Sequence, residues 1–85
     1  MQVRIDYTTE LIYYEKKKIR WGIEEFNIQF GNKSEEYEYS SEEKKQANEF
    51  LDYFMNCVDI KHVEILNYFK KEMEKLEKDY PDLIK

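Results

Sequence analysis

The hydrophobic pattern of this chain changes period near residue 40, and that change constrains the fold more than any other sequence feature. Before residue 40, apolar residues alternate with polar ones, as at Val3, Ile5 and Tyr7 and again at Ile19, Trp21 and Ile23. Alternation rich in β-branched and aromatic residues is typical of half-buried antiparallel strands. After residue 40, apolar residues recur at helical spacing. The sequence therefore predicts an α+β fold, with the strands first and the helices second.

The predicted sheet is an antiparallel meander of three or four strands over residues 2–39. Gly31-Asn32-Lys33-Ser34 is rich in turn-forming residues, so residues 26–30 and 35–39 are predicted to form a hairpin. The alternation changes phase after Ile23, which predicts either a β-bulge near Gly22–Glu25 or a turn there between two strands.

Two helices are predicted to pack on this sheet, over residues 41–57 and 60–79. Ser40 and Glu43 have the spacing of a capping box at the start of the first helix. Asp59 is the predicted N-cap of the second helix, which ends before Pro81. We expect the first helix to bury its aromatic side chains against the sheet; the residues predicted to meet there are Phe50, Phe54, Trp21, Phe26 and Ile28.

Length and composition predict one domain over residues 1–85. Fourteen aromatic residues (eight Tyr, five Phe and one Trp) argue against disorder. No apolar run approaches the roughly 18 residues that a membrane span needs, and the N-terminal residues lack a signal-peptide apolar region. We therefore expect a cytoplasmic protein that does not bind membranes.

The chain contains few side chains suited to catalysis. Cys57 and His62 are its only cysteine and histidine, which excludes an intramolecular disulfide and the usual structural zinc sites. Cys57 falls on the apolar stripe of the first predicted helix and is expected to be buried, with His62 in solvent. No phosphate-binding glycine motif or calcium loop is present. The sequence therefore predicts no enzyme activity, no cofactor and no metal site.

Negative charge is concentrated in one part of the chain. The formal net charge is −5, and residues 24–43 carry seven glutamates and one lysine. The predicted hairpin would place carboxylates on one solvent-facing surface about 6.6–7 Å apart along each strand, a spacing suited to imitating a nucleic-acid backbone. The predicted partner-binding residues are Glu25, Glu35, Glu36, Glu38, Glu42, Glu43, Tyr37 and Tyr39.

These observations favour a non-catalytic protein that binds the basic surface of a nucleic-acid-binding protein and blocks it by DNA or RNA mimicry. In size, acidity and lack of catalytic motifs, the chain resembles the small inhibitors that phages and mobile elements encode against host proteins. The resemblance covers no sequence motif, so it implies a role for no particular residue. In this interpretation the protein does not itself contact nucleic acid.

Three other interpretations remain open from the sequence. Lys16-Lys17-Lys18, Arg20 and Trp21 form a basic and aromatic cluster that could bind nucleic acid directly on a sheet face. The broad apolar stripes of the helices are also compatible with an assembly subunit that forms a homodimer. Finally, the acidic residues could serve solubility alone. Recovery of basic proteins, of nucleic acid or of neither from a lysate would separate these interpretations.

Overall fold

A computed structural model describes residues 7–84, apart from the side chain of Tyr7, and these residues form helices with no strand. The first helix, α1, spans Tyr7–Phe26 and continues as a π-helical turn over Asn27–Gly31. The second, α2, spans Ser41–Asn56, and the third, α3, spans Val63–Asp79. The predicted α+β fold class is therefore wrong, and the residues described form a three-helix arrangement.

Ring contacts and ion pairs show how the helices run relative to one another. Lys16 of α1 pairs with Glu64 near the start of α3, and Phe26 at the end of α1 packs on Tyr80, just after α3, with ring centroids 5.8 Å apart. Because the early residues meet early residues and the late residues meet late ones, α1 and α3 run in the same direction.

The helix α2 runs in the opposite direction to α1. Phe50 packs against Phe26, with ring centroids 6.0 Å apart, whereas Phe54, one turn later in α2, lies against Gly22, one turn earlier in α1. Short connections between consecutive helices favour this antiparallel arrangement. The three helices therefore run alternately up, down and up.

The β-meander predicted over residues 2–39 is wrong for the described part of that range; the alternation at residues 2–6 lies outside it. The side of α1 that faces the core has a helical period, but two of its buried positions are Glu15 and Gly22. Because neither glutamate nor glycine is an apolar residue, the apolar residues of α1 do not show an unbroken helical period in the sequence. The apparent alternation arises because Trp21, which is 60% exposed, adds an apolar residue on the opposite side of α1.

The predicted hairpin is also wrong. Residues 26–30 are helical, and residues 35–39 form no strand. The predicted turn at Gly31–Ser34 ends a helix instead of joining two strands. Asn32 has φ −75° and ψ 53°, and Lys33 N donates a 2.7 Å hydrogen bond to Gly31 O, as in an inverse γ-turn.

The two predicted helices are present, with a corrected start for the second. The helix α3 begins at Val63 rather than at residue 60 because Asp59 does not cap it. Asp59 Oδ1 instead accepts a 3.1 Å hydrogen bond from Lys61 N, which closes a local turn before the helix. His62 occupies the N-cap position and makes no side-chain capping bond.

The core is divided into two clusters along the bundle. One lies at the end where α1 meets α2 and is closed by the C-terminal turn; its buried members are Phe26, Phe30, Ala47, Leu51, Leu76, Leu83 and Ile84. The other lies nearer the α2–α3 connection; its buried members are Ile19, Phe54, Val58, Ile65 and Phe69. Phe54 is buried as expected and Phe50 contacts Phe26, but Trp21 and Ile28 are exposed and do not join them.

A buried carboxylate ties α1 to the connection between α2 and α3. Glu15 is 3% exposed, and its Oε2 accepts a 2.9 Å hydrogen bond from Asp59 N. Its Oε1 lies 3.4 Å from Lys18 Nζ, on the next turn of α1. Buried charged groups are rarely stable without such partners. The run Glu15–Lys18 is thus a helical segment with a structural role.

Gly22 allows α2 to approach α1 closely. A Cβ atom added there would lie 2.6 Å from Phe54 Cζ and closer still to two other atoms of the same ring. The absence of a side chain at Gly22 therefore gives the Phe54 ring its place in the core. The β-bulge predicted at this residue is wrong, although the sequence does mark Gly22 as a point of close packing.

We expect Gly22→Ala to lower the free energy of unfolding, by about 1–3 kcal/mol, because the added methyl group overpacks the contact with Phe54. Helix propensity alone predicts the opposite sign, a gain of about 1 kcal/mol. Urea denaturation of the wild type, Gly22→Ala, Phe54→Leu and the double variant measures the interaction free energy between positions 22 and 54. A stabilised Gly22→Ala protein, or additive effects in the double variant, would contradict the contact.

Candidate functional site

The predicted partner-binding residues do not form one strand face. Glu25 lies on α1 and is half-buried beside the core residue Phe26. The others lie together in residues 35–43, which comprise the end of the α1–α2 connection and the first turn of α2. We call residues 35–43 the acidic segment; it contains five glutamates and no basic residue. The hairpin-based spacing of carboxylates no longer applies, because the segment is not a strand.

Hydrogen bonds hold the acidic segment against the bundle. Tyr37 N donates to Ser34 O at 3.0 Å, which closes a turn around Glu35 and Glu36. Tyr39 Oη donates to Phe30 O at 2.7 Å and so fastens the segment to the π-helical turn. The connection is therefore a fixed loop with its two glutamates at the exposed tip of a turn.

The segment ends in a capping box, as predicted. Ser40 Oγ accepts a 3.1 Å hydrogen bond from Glu43 N, and Glu43 Oε1 accepts one of the same length from Ser40 N. Tyr37 Oη donates a further bond of 2.6 Å to Glu43 Oε2. The bond from Tyr37, and after it the bond from the Ser40 backbone, lowers the pKa of the Glu43 carboxyl. The bond to Glu43 raises the pKa of the Tyr37 hydroxyl.

Tyr37 and Tyr39 form an aromatic pair within the acidic segment. Their ring centroids are 5.0 Å apart with an interplanar angle of 76°, an edge-to-face arrangement. Lys33 Nζ lies 5.1 Å from the centre of the Tyr37 ring, which places one cation beside the segment. The structure thus brings Tyr37, Tyr39 and Glu43 together and leaves Glu35, Glu36, Glu38 and Glu42 exposed around them.

A second surface lies along α1, beside α3, and contains most of the predicted basic cluster. It is a groove of about 400 Å³; its lining residues are Tyr13, Lys16, Lys17, Arg20, Trp21, Glu24 and Tyr68. We call it the basic groove. Lys18 is absent from it, because its Nζ is turned towards Glu15. The predicted position of this cluster on a sheet face is wrong, since its residues lie on a helix.

Sequence reasoning missed Tyr13, Glu24 and Tyr68 as members of the basic groove. The α1 residues of the groove are three or four positions apart, the spacing that places side chains on one side of a helix. That spacing predicts a shared helix face for the α1 residues of the groove, but only if residues 7–26 form a helix. No local pattern predicts Tyr68, because it comes from a different helix.

The contacts within the groove leave two of its cations unpaired. Lys16 forms an ion pair with Glu64 and lies 5.6 Å from the centre of the Tyr68 ring. Lys17 and Arg20 have no ion-pair or hydrogen-bond partner among residues 7–84. Both are exposed. They are therefore available to an anionic ligand.

Cys57 and His62 do not form a reactive pair. Cys57 ends α2 at its C-cap and is exposed, so the predicted burial is wrong. The chain leaves the helix at Cys57, and the next residue, Val58, is buried in the core in its place. His62 lies at the start of α3.

Among residues 7–84, no group of three or more histidine, cysteine or acidic side chains is arranged to hold a metal ion. None of the helices in this range has the length and apolar character needed to cross a membrane. Comparisons with protein-family models, curated proteins and solved structures gave no match. The candidate functional sites are therefore the acidic segment and the basic groove.

We expect the charge of Glu43 to stabilise the fold in a pH-dependent way. Its pKa is lowered in the folded state, so the stabilisation is fully present above the ordinary Glu pKa of about 4.3 and is lost as the pH falls through the lowered value. Glu43→Gln keeps the capping geometry but removes the charge. The urea midpoints of the wild type and Glu43→Gln should differ at about pH 7 and converge at about pH 2.

The matched control is Glu42→Gln, which removes a neighbouring charge that has no hydrogen bond in the described residues. Its difference from the wild type should change less with pH. Equal behaviour of the two variants would show that the Tyr37–Glu43 and Ser40–Glu43 bonds add nothing beyond the general effect of charge near a helix N-terminus.

Proposed function

We propose that this protein is a non-catalytic binding protein whose acidic segment binds the basic surface of a nucleic-acid-binding protein and blocks it. One observation carries the proposal: five glutamates lie within nine residues of a loop and helix start that hydrogen bonds hold against the bundle, and none of them has an ion-pair partner among residues 7–84. The ion pairs among residues 7–84 are Lys16–Glu64 and Lys18–Glu15, and neither includes the acidic segment.

The order of the acidic segment supports a binding role. Uncompensated like charges repel one another, so a free loop would spread them apart. Here the bonds from Tyr37 and Tyr39 keep the segment folded against the bundle. A binding surface that is already ordered loses less conformational entropy when its partner docks.

The chemistry of the segment favours a partner surface that normally binds phosphates. Carboxylates and phosphates both accept charge-assisted hydrogen bonds from arginine and lysine, and arginine binds either group with two parallel bonds. The Tyr37 side chain, which is 38% exposed, adds an aromatic group of the kind that is enriched at protein interfaces. The competing interpretation is an acidic surface that serves solubility alone.

We expect Glu36→Lys/Glu38→Lys to abolish capture of basic partners, because the reversed charges repel a basic surface. The matched control is Glu49→Lys/Glu77→Lys, which makes the same change in net charge at exposed positions of α2 and α3. Immobilised wild type and both variants are exposed to a lysate treated with nuclease, and bound proteins are quantified by mass spectrometry.

The proposal predicts nucleic-acid-binding proteins that are captured by the wild type and the control but lost from the Glu36/Glu38 variant. Added duplex DNA or structured RNA should displace them, and their association rate should fall as salt rises. Equal capture by all three proteins would show that the acidic segment is only a solvated surface.

The basic groove favours a second candidate function, direct binding of single-stranded nucleic acid. Trp21 and Tyr13 are 60% and 65% exposed and present ring faces on which bases can stack. The unpaired cations Lys17 and Arg20 lie between them on α1 and could hold the phosphates. The net charge of −5 opposes this function, since binders of nucleic acid are usually basic.

If the second candidate is correct, a single-stranded oligonucleotide should quench the fluorescence of Trp21, the only tryptophan in the chain. We expect Arg20→Glu to weaken the binding by about tenfold, equal to about 1.4 kcal/mol. Lys45→Glu, which makes the same change in net charge at an exposed position of α2, serves as the control. No quenching at low salt, or equal effects of the two substitutions, would rule this function out.

A further inference from the structure

The outer face of α1 carries a row of large apolar side chains that residues 7–84 leave exposed. Tyr14, Trp21 and Ile28 are spaced seven residues apart, and 64%, 60% and 67% of their surfaces are exposed. Residues seven apart lie almost on one line along a helix, as they do in coiled coils. We call these three residues the outer stripe; Ile28 extends it into the π-helical turn.

The charges beside the outer stripe are arranged symmetrically about Trp21. Lys17 and Lys18 precede it, four and three residues away, and Glu24 and Glu25 follow it at three and four residues. If a second copy of α1 lies antiparallel across the stripe, each basic pair faces the acidic pair of the other copy. A parallel arrangement would place like charges opposite one another, which disfavours it.

We propose that two copies of this chain form a symmetric homodimer through an antiparallel pairing of α1 along the outer stripe. Trp21 lies at the twofold axis beside Trp21 of the second copy, and Tyr14 of each copy packs against Ile28 of the other. Because side chains on the same flank meet in an antiparallel pair, Lys17 faces Glu24 of the second copy, and Lys18 faces Glu25.

Lys17 and Glu24 are the charges best placed to set this pairing. Both are exposed, and neither has an ion-pair partner among residues 7–84. Lys18 contacts the buried Glu15, and Glu25 is itself half-buried, so those two residues also serve the monomer. An interface of one helix on one helix is small, and we expect association in the micromolar range.

The homodimer goes beyond the proposed function, because the acidic segment takes no part in the pairing. The pairing also removes the exposed apolar surface of Tyr14, Trp21 and Ile28 from solvent, which favours association. Failure of the dimer would therefore leave the acidic-segment proposal intact, and the reverse also holds.

Sedimentation equilibrium of the full chain over a range of concentrations tests the dimer, with the emission of Trp21 followed in parallel. The wild type should approach the mass of two chains as concentration rises, and the Trp21 emission should shift to shorter wavelength over the same range. A chain that stays monomeric up to about 1 mM would have a dissociation constant above that concentration, and this result would overturn the proposal.

Charge reversal tests the antiparallel pairing. Lys17→Glu and Glu24→Lys should each weaken self-association by at least about tenfold, since each change opposes like charges across the interface. An equimolar mixture of the two variants should restore a dimer, because each reversed side chain then meets its opposite. Lys45→Glu and Glu49→Lys on α2 are the matched controls, and circular dichroism verifies folding.

A dimer that is unaffected by Lys17→Glu and Glu24→Lys, or that the mixture does not restore, would place the interface elsewhere and overturn the assignment. Trp21→Ser, which removes the central apolar side chain of the outer stripe, should also produce a monomer without loss of helix content. A dimer that persists in this variant would contradict the outer stripe directly.

Discussion

The contact of the Phe54 ring with Gly22 determines how the rest of the molecule is arranged. It places α2 antiparallel on α1 at close range, and Phe54 then stacks on Phe69 of α3 with ring centroids 6.1 Å apart. One ring therefore joins all three helices. Because Gly22 and the buried Glu15 turn one side of α1 inward, the opposite side must face solvent. That opposite side carries Trp21, with the basic groove on one flank and the rest of the outer stripe along it.

The two charged surfaces of the protein reflect an uneven distribution of charge along α1. Its middle is basic at residues 16–18 and 20, and its end is acidic at residues 24 and 25. The acidic segment follows at the same end of the bundle, held there by Tyr39 on the π-helical turn. The protein thus presents opposite charges at separate places, as the two proposed interactions require: a basic partner at one end and a second copy along α1.

Parts of this structure could be predicted from the sequence because they depend on local interactions. The capping box at Ser40 and Glu43 involves neighbouring backbone groups, and the helix that follows has an uninterrupted apolar period. The exposed position of Glu35, Glu36, Glu38 and Glu42 follows from their charge alone. The helical state of residues 7–31 is not predictable in the same way, because the buried Glu15 and Gly22 interrupt the helical period of the apolar residues.

The order of residues along the chain is enough to specify where the charges lie, where α2 begins and which reactive side chains are present. The burial of Glu15, its bond from Asp59 N and the contact of Gly22 with the Phe54 ring depend on how the helices pack. Those contacts join residues more than thirty positions apart, and no local preference specifies them. They stabilise helix over strand because a helix places Glu15, Ile19, Gly22 and Phe26 on one side, where α2 and α3 bury them. Packing between distant segments therefore overrode the apparent alternation of the first half of the chain.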